Sequence, residues 1–361
     1  MKSNEFSRRE FLQSGTGLAT GVAAGSIMSN LGCSPEAKKP VVSIARIESD
    51  NIGKAVEKAI DLLGGIETVA KGKEKIMLKP NLVVAGADPT TKPEVVKTIA
   101  QLMKNSGKEV LIGEGSAAAN GFNIKEGVVY RTRNREILDN MQQFVFDTLG
   151  YTELAKSLGI PLINLHSGEM TDVAVSNGFV FDKITLHQSL TDIDMLCSVP
   201  MMKTHAWATV TLGMKNLIGL YPGTTYYALR SWLHDYAAEL KSPGMAFETI
   251  DMVRANKLGL VIVDGSMAME GDGPTGGSLV KMDLIIAGMN PLATDMVTAN
   301  IMGFAMNEIP TFTWANKTGM QPTSLDEIEV RGERINDVRR EFVKPNIVSW
   351  ESISENFKQE I

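Results

Sequence analysis

The sequence predicts an α/β fold with a mostly parallel sheet flanked by helices on both faces, and three observations carry that expectation. Short β-branched runs alternate with segments of helical period along most of the chain. Runs such as Val110-Leu111-Ile112 and Leu260-Val261-Ile262-Val263 are apolar at every position, as strands covered by helices on both sides must be. With 361 residues, 43% of them hydrophobic and 22% charged, the chain can also bury a sizeable core.

Taken in order, residues 41–47 read as a strand, 52–70 as a helix, 75–78 as a strand, 93–105 as a helix and 109–112 as a strand. Residues 134–158 carry the period of one or two helices, and Pro161 and Gly168 punctuate the next stretch of chain. Residues 179–188 and 194–199 look extended, and 225–240 form an aromatic-rich helical pattern. Residues 258–263 and 280–287 read as strands, and 291–302 as a helix with Asn290 as its N-cap and Pro291 in its first position. The more charged segment 325–361 is suited to closing a sheet edge.

The N-terminus reads as an address rather than as fold. Ser7-Arg8-Arg9-Glu10-Phe11-Leu12 is followed by a Gly/Ala/Ser-rich stretch to Leu31 that is too polar and too short for a stable membrane span. This is the twin-arginine pattern, so the twin-arginine translocase is an expected partner and the expected location is periplasmic or otherwise extracytoplasmic. Leu31-Gly32-Cys33-Ser34 is similar to a lipoprotein cleavage site, with Asn30 where an aliphatic residue is usual. Cys33 is then either a lipidation site or discarded, and a lipid anchor is the only expected membrane contact. The expected organisation is a signal over 1–33, a tether over 34–40, a main domain over 41–305 and an extension over 306–361 packed on that domain.

A formal charge of -6 argues against a nucleic-acid partner, since that affinity comes from phosphate neutralisation by Lys and Arg. Two cysteines exclude a disulfide scaffold, a structural cysteine–zinc cluster and a self-ligated iron–sulfur cluster. No H-E-x-x-H, Walker A or G-x-S-x-G pattern is present.

Two segments are dense in chemistry. If residues 203–205 stay extended, Lys203 and His205 leave a strand's carboxyl end on one face, where α/β sheets place their ligands. Lys215-Asn216 adds a charge within an apolar stretch, which must find water, a carboxylate or a ligand. The second segment, residues 263–277, sets Asp264, Glu270 and Asp272 beside Gly271, Gly273 and Gly276, whose backbone N–H groups suit an anion. Oxygen-rich loops suit Mg²⁺ or Ca²⁺, and His205 or His234 would add a transition-metal ligand. The G-x-G-x-x-G spelled by these glycines is no dinucleotide site, because Pro274 interrupts it and a strand rather than a helix comes after it. Arg230 and His234 share a helical face in the 225–240 pattern. His166 and His187 read as structural, and the 20 methionines as gap-filling core residues.

Several blocks together resemble the bacterial and archaeal family known as domain of unknown function 362, over residues 41–305. They are Lys79-Pro80-Asn81, Gly113-Glu114-Gly115, Pro200-Met201-Met202-Lys203-Thr204-His205 and Lys215-Asn216-Leu217-Ile218-Gly219. Further along come Tyr221-Pro222-Gly223 with His234, Asp264-Gly265, Glu270 to Gly277, and Asn290-Pro291-Leu292-Ala293-Thr294-Asp295. The resemblance implies a shared site that includes Lys203, His205, Lys215, Asn216, His234, Asp264, Glu270 and Asp295, with Asn81 and Glu114 among the ligand-binding positions. It assigns no reaction. Many relatives append a module with two cysteine-rich iron–sulfur motifs that this chain lacks, so a separate redox partner would have to supply any electrons.

The expectation is thus an exported chain that binds an anionic small molecule between Lys203, Lys215 and the 271–277 loop, with a divalent metal near Asp264, Glu270 and His205. His205 or His234, assisted by Lys203, would exchange protons in a redox, isomerisation or hydrolytic step. The alternative is a non-catalytic binding protein for a metal, cofactor or oxyanion at the same groups.

Overall fold

In the computed structural model, the described residues are 38–230, 233, 235, 239–349 and 360–361. Arg8, Arg9, Cys33 and His234 lie outside them.

Eleven strands build the main sheet. They are β1 (Val41–Arg46), β2 (Lys75–Pro80), β3 (Glu109–Glu114), β4 (Leu162–Asn164), β5 (Met195–Val199), β6 (Met201–His205), β7 (Thr209–Thr211), β8 (Leu258–Glu270), β9 (Ser278–Val280), β10 (Leu284–Gly288) and β11 (Glu329–Gly332). The order is β11-β1-β10-β8-β5-β2-β3-β4, with β6 and β9 paired to the far half of β8 and β7 paired to β6. Strands β4, β3, β2, β5, β8 and β6 pair in parallel, and β10 enters antiparallel between β8 and β1. The sheet is therefore mixed and mostly parallel.

Every second residue of a strand faces one side, and here both sides are apolar. Ile76, Leu78, Val110, Ile112, Leu260 and Ile262 face a core built with α1 (Ile52–Leu62), α2 (Pro93–Asn105), α3 (Arg135–Thr148) and α4 (Tyr151–Leu158). Their neighbours Val261, Val263, Leu284 and Ile286 face α6 (Pro291–Ile301) and α7 (Pro310–Lys317), while Met77 and Leu196 face Met252 of α5 (Ala246–Ala255) and Leu217. Asn51, Asn134 and Asn290 cap α1, α3 and α6 by accepting backbone N–H groups of the first turn, with Pro291 in the first position of α6.

The 134–158 pattern, expected as one or two helices, is two, α3 and α4, divided at Gly150 with φ 78°. Other expectations need correcting. The 225–240 pattern is not one helix, because Tyr227 and Leu229 both have φ 63° and break it after the short turn Gly223–Tyr226. The 179–188 run is a strand only over Lys183–His187, paired in a separate hairpin with Met170–Ala174. The 280–287 run divides at Asp283, where φ is 53°.

The turn from β5 into β6 is what carries the sheet to the site. Pro200 offers no N–H, and its carbonyl accepts the Asp264 N–H at 2.8 Å. The chain bends there without leaving β8, and the register shifts between Met201 and Lys203.

Leu78 is fully buried between β2 and the helices of the first core. Leu78→Ala should lower unfolding stability by about 2–5 kcal/mol in urea titration. A loss below about 1 kcal/mol would contradict this packing.

Candidate functional site

The parallel strands β2, β3 and β6 all end on one side, and a cavity of about 110 Å³ lies at their carboxyl ends. Its walls include Lys79 and Asn81 from β2 and the loop after it, Glu114 from β3, Lys203 and His205 from β6, and Lys215 and Asn216 from the 3₁₀ turn Lys215–Leu220. Six sequence-predicted ligand or catalytic positions outside the glycine loop, Asn81, Glu114, Lys203, His205, Lys215 and Asn216, thus meet in one place.

Lys79, Glu114 and Asn216 form its buried frame. The Lys79 ammonium donates to the Glu114 carboxylate at 2.9 Å, to Pro80 O at 3.0 Å and to Asn216 Oδ1 at 3.1 Å. Glu114 also accepts the N–H groups of Leu82 and Gly115 at 3.0 and 2.8 Å. Charge and hydrogen-bonding capacity are matched, which is what a buried ion pair requires. The frame explains Gly219 as well: a Cβ there would lie 2.6 Å from both Lys79 Nζ and Glu114 Oε1.

Lys203 is equally buried but differently placed. Its Nζ donates to Pro89 O at 2.6 Å and Pro274 O at 3.3 Å, which are carbonyls rather than carboxylates. Burial pushes its amine down to about 7; repulsion from Lys215 and Lys79 adds to this, and Glu114 opposes it. His205 Nδ1 accepts the N–H groups of Trp207 and Ala208 at 3.1 and 3.4 Å. The neutral ring therefore carries its proton on Nε2 and acts as a donor there.

The remaining predicted positions hold loops in place. Asp295 accepts the N–H groups of Gly213 and Met214 at 2.7 and 2.8 Å, which fixes the entry to the turn bearing Lys215 and Asn216. Burial pushes the Asp295 carboxyl up to about 7 against those two bonds. Asp264 accepts Lys92 N at 2.8 Å and both Ser266 N and Oγ, and burial raises its pKa too. Glu270 accepts Val343 N at 3.0 Å, and Asp272 accepts the backbone N–H and the side-chain amide of Asn346 at 2.8 and 3.1 Å.

In the glycine loop, Gly271 N donates to Val343 O, Gly273 N to Gly271 O and Gly276 N to Asp272 O. The loop contributes Pro274 to the cavity wall. Gly273 is needed for closeness, since its Cβ would sit 2.1 Å from Thr204 O. Among the described residues, no group of three or more His, Cys, Asp or Glu side chains is placed to hold a metal ion. His166 holds Ser116 O and the Gly223 N–H between its ring nitrogens, and the Cys197 thiol is buried and pushed upward.

Sequence reasoning left Lys79 and Thr211 off the candidate set. Lys79 carried a readable signal, a charge ending the apolar strand Lys75-Ile76-Met77-Leu78. Thr211, buried with an unpartnered Oγ1 on the cavity wall, carried none.

The family model described as Domain of unknown function (DUF362) matches residues 76–300. A "Thylakoid-associated protein" of Synechocystis sp. is 28% identical over 291 residues, covering 79% of this chain and 81% of that protein. Among solved structures, the lactate racemase apoprotein from Thermoanaerobacterium thermosaccharolyticum aligns with TM-score 0.43 and 12% identity over 74% of this chain and 58% of its own length. A Thermotoga maritima protein aligns with TM-score 0.39 and 12% identity, covering 68% of this chain and 56% of its own. The chain thus spans somewhat over half the length of these two structures, and likeness at that level bears on neither site nor chemistry.

Equal burial with unequal partners gives a direct test. Lys79→Met strands the Glu114 carboxylate and should cost about 3–5 kcal/mol at pH 7. Lys203→Met removes a buried amine with no carboxylate partner and should cost less than about 1 kcal/mol, or stabilise. Urea titrations of the two variants read the contrast, and similar losses would refute it.

Proposed function

The chain belongs to the family of Domain of unknown function (DUF362), and on that premise we propose that it is an enzyme acting on a compact anion in the strand-end cavity. The observation that carries this reading is Lys203, an amine of zero exposure that lines the cavity and, among the described residues, is hydrogen-bonded to carbonyls alone. Its burial costs stability, and a cost of that kind is kept where function uses it. An anion beside Lys203 would restore its charge, so binding would take up a proton.

In this reading Lys203 exchanges a proton with the ligand, a step common to isomerases, hydrolases and many redox enzymes. His205 donates from Nε2, and Lys215 adds positive charge. The Lys79–Glu114–Asn216 frame holds these groups in register. The divalent ion expected at Asp264, Glu270 and His205 enters the proposal only as a counter-ion to the anion, since both carboxylates already hold backbone N–H groups. A redox partner enters only if the reaction moves electrons.

The pH dependence has a definite sign. Lys203 is protonated below about pH 7 and loses that charge above it. Affinity for phosphate or acetate, measured by calorimetry, should fall by about tenfold per pH unit above 7, and Lys203→Met should abolish that slope. A flat profile from about pH 6 to 9 would remove Lys203 from the binding role. A bound ligand released chemically unchanged, with no turnover of any retained compound, would favour the non-catalytic binding protein.

Export by the twin-arginine translocase, with or without a lipid on Cys33, belongs to the same proposal. Replacing Arg8 and Arg9 together by Lys should retain the chain in the cytoplasm, as fractionation would read. Unchanged export would remove the signal reading and leave the cavity reading intact.

A further inference from the structure

We infer that the anion taken by this cavity carries its own neutral hydrogen-bond donor, a hydroxyl group, on the side that meets Asn81. The inference rests on the anion-site reading and adds the ligand's second functional group.

The polarity of a hydrogen-bond chain fixes it. Asn216 Nδ2 donates to Lys79 O at 3.2 Å, and Asn216 Oδ1 accepts from Lys79 Nζ at 3.1 Å. A carbonyl can only accept and an ammonium can only donate, so the Asn216 amide cannot be turned round. Ser198 Oγ, which gives its own proton to Gly213 O at 2.9 Å, accepts from Asn216 Nδ2 at 3.0 Å and agrees with that orientation. Asn216 Oδ1 then requires a donor from Asn81, and Asn81 Nδ2 supplies it at 3.0 Å. The Asn81 Oδ1 is left as the other end of the chain: a buried acceptor with no partner among the described residues, on a residue of the cavity wall.

A second observation points the same way. Thr211, 4% exposed, lines the same cavity with a buried hydroxyl that also has no partner among the described residues. Buried polar groups are nearly always satisfied, so two unsatisfied ones on one wall mark a place for a polar guest. The cavity holds about 110 Å³, less than the 150 Å³ or so that admits benzene, so one small molecule must serve both the lysines and Asn81. A cationic donor is disfavoured, because Lys79, Lys203 and Lys215 line the same space. A hydroxyl on a small carboxylate or comparable oxyanion meets every condition.

Calorimetry on the full chain at pH 6, where Lys203 is protonated, tests this with glycolate and acetate, which differ by one hydroxyl. Glycolate should bind about tenfold more tightly, and in Asn81→Ala the glycolate-to-acetate ratio should fall to within about twofold. Equal binding by the wild-type chain would overturn the hydroxyl inference while leaving the anion site standing, as it would if water satisfies Asn81. Failure of both to bind, together with failure of phosphate, would overturn the anion-site reading itself. Should Asn81→Ala not fold, the wild-type ratio still decides.

Discussion

The buried ion pair between Lys79 and Glu114 is the constraint on which the rest of the site depends. It ties the ends of two neighbouring parallel strands, and both partners are saturated by further hydrogen bonds. A pair of this kind contributes little net stability against an apolar alternative, because both charges must leave water. What it does supply is position. It fixes the donor and acceptor ends of Asn216, and through Asn216 those of Asn81. It also presses against Gly219, so the turn bearing Lys215 can approach only as a backbone without a side chain at that point.

Against this saturated frame, Lys203 is the contrasting case. Two lysines of equal burial stand in one cavity, one matched by a carboxylate and one, among the described residues, by carbonyls only. The first is held by its surroundings against the Glu114 carboxylate. The second has a charge that its surroundings oppose, so its protonation answers to whatever else enters the space. The acidic residues around the cavity act on the backbone: Asp264, Glu270, Asp272 and Asp295 each clasp N–H groups of a neighbouring segment. They shape the walls without neutralising Lys203.

Much of this was legible in the sequence, for physical reasons that differ from place to place. The all-apolar strands announced a sheet covered on both faces, and the two-residue spacing of Lys203 and His205 placed both on one face of a strand end. The partnership of Lys79 and Glu114 spans 35 positions and has no local signature, so only the charge at the end of an apolar strand hinted at it. The acids near the glycine loop looked like metal ligands because spacing records which side chains are near one another, and not which backbone N–H groups they meet. The pattern over 225–240 promised a continuous helix, but the left-handed residues Tyr227 and Leu229 break it, and Leu229 there joins the cavity wall. Tertiary contacts override propensity at such points.

The bend at Pro200 has a bearing on how this architecture can change. Because the strand resumes beyond the proline and stays paired to β8, side chains past it still alternate between two faces. Losing or gaining a single residue between Pro200 and Lys203 would swing the amine and the imidazole together to the opposite side, whereas a two-residue change would preserve their aim. The distance from proline to lysine is therefore governed by odd and even counting, which makes this short stretch far less tolerant of length variation than the surface connections elsewhere.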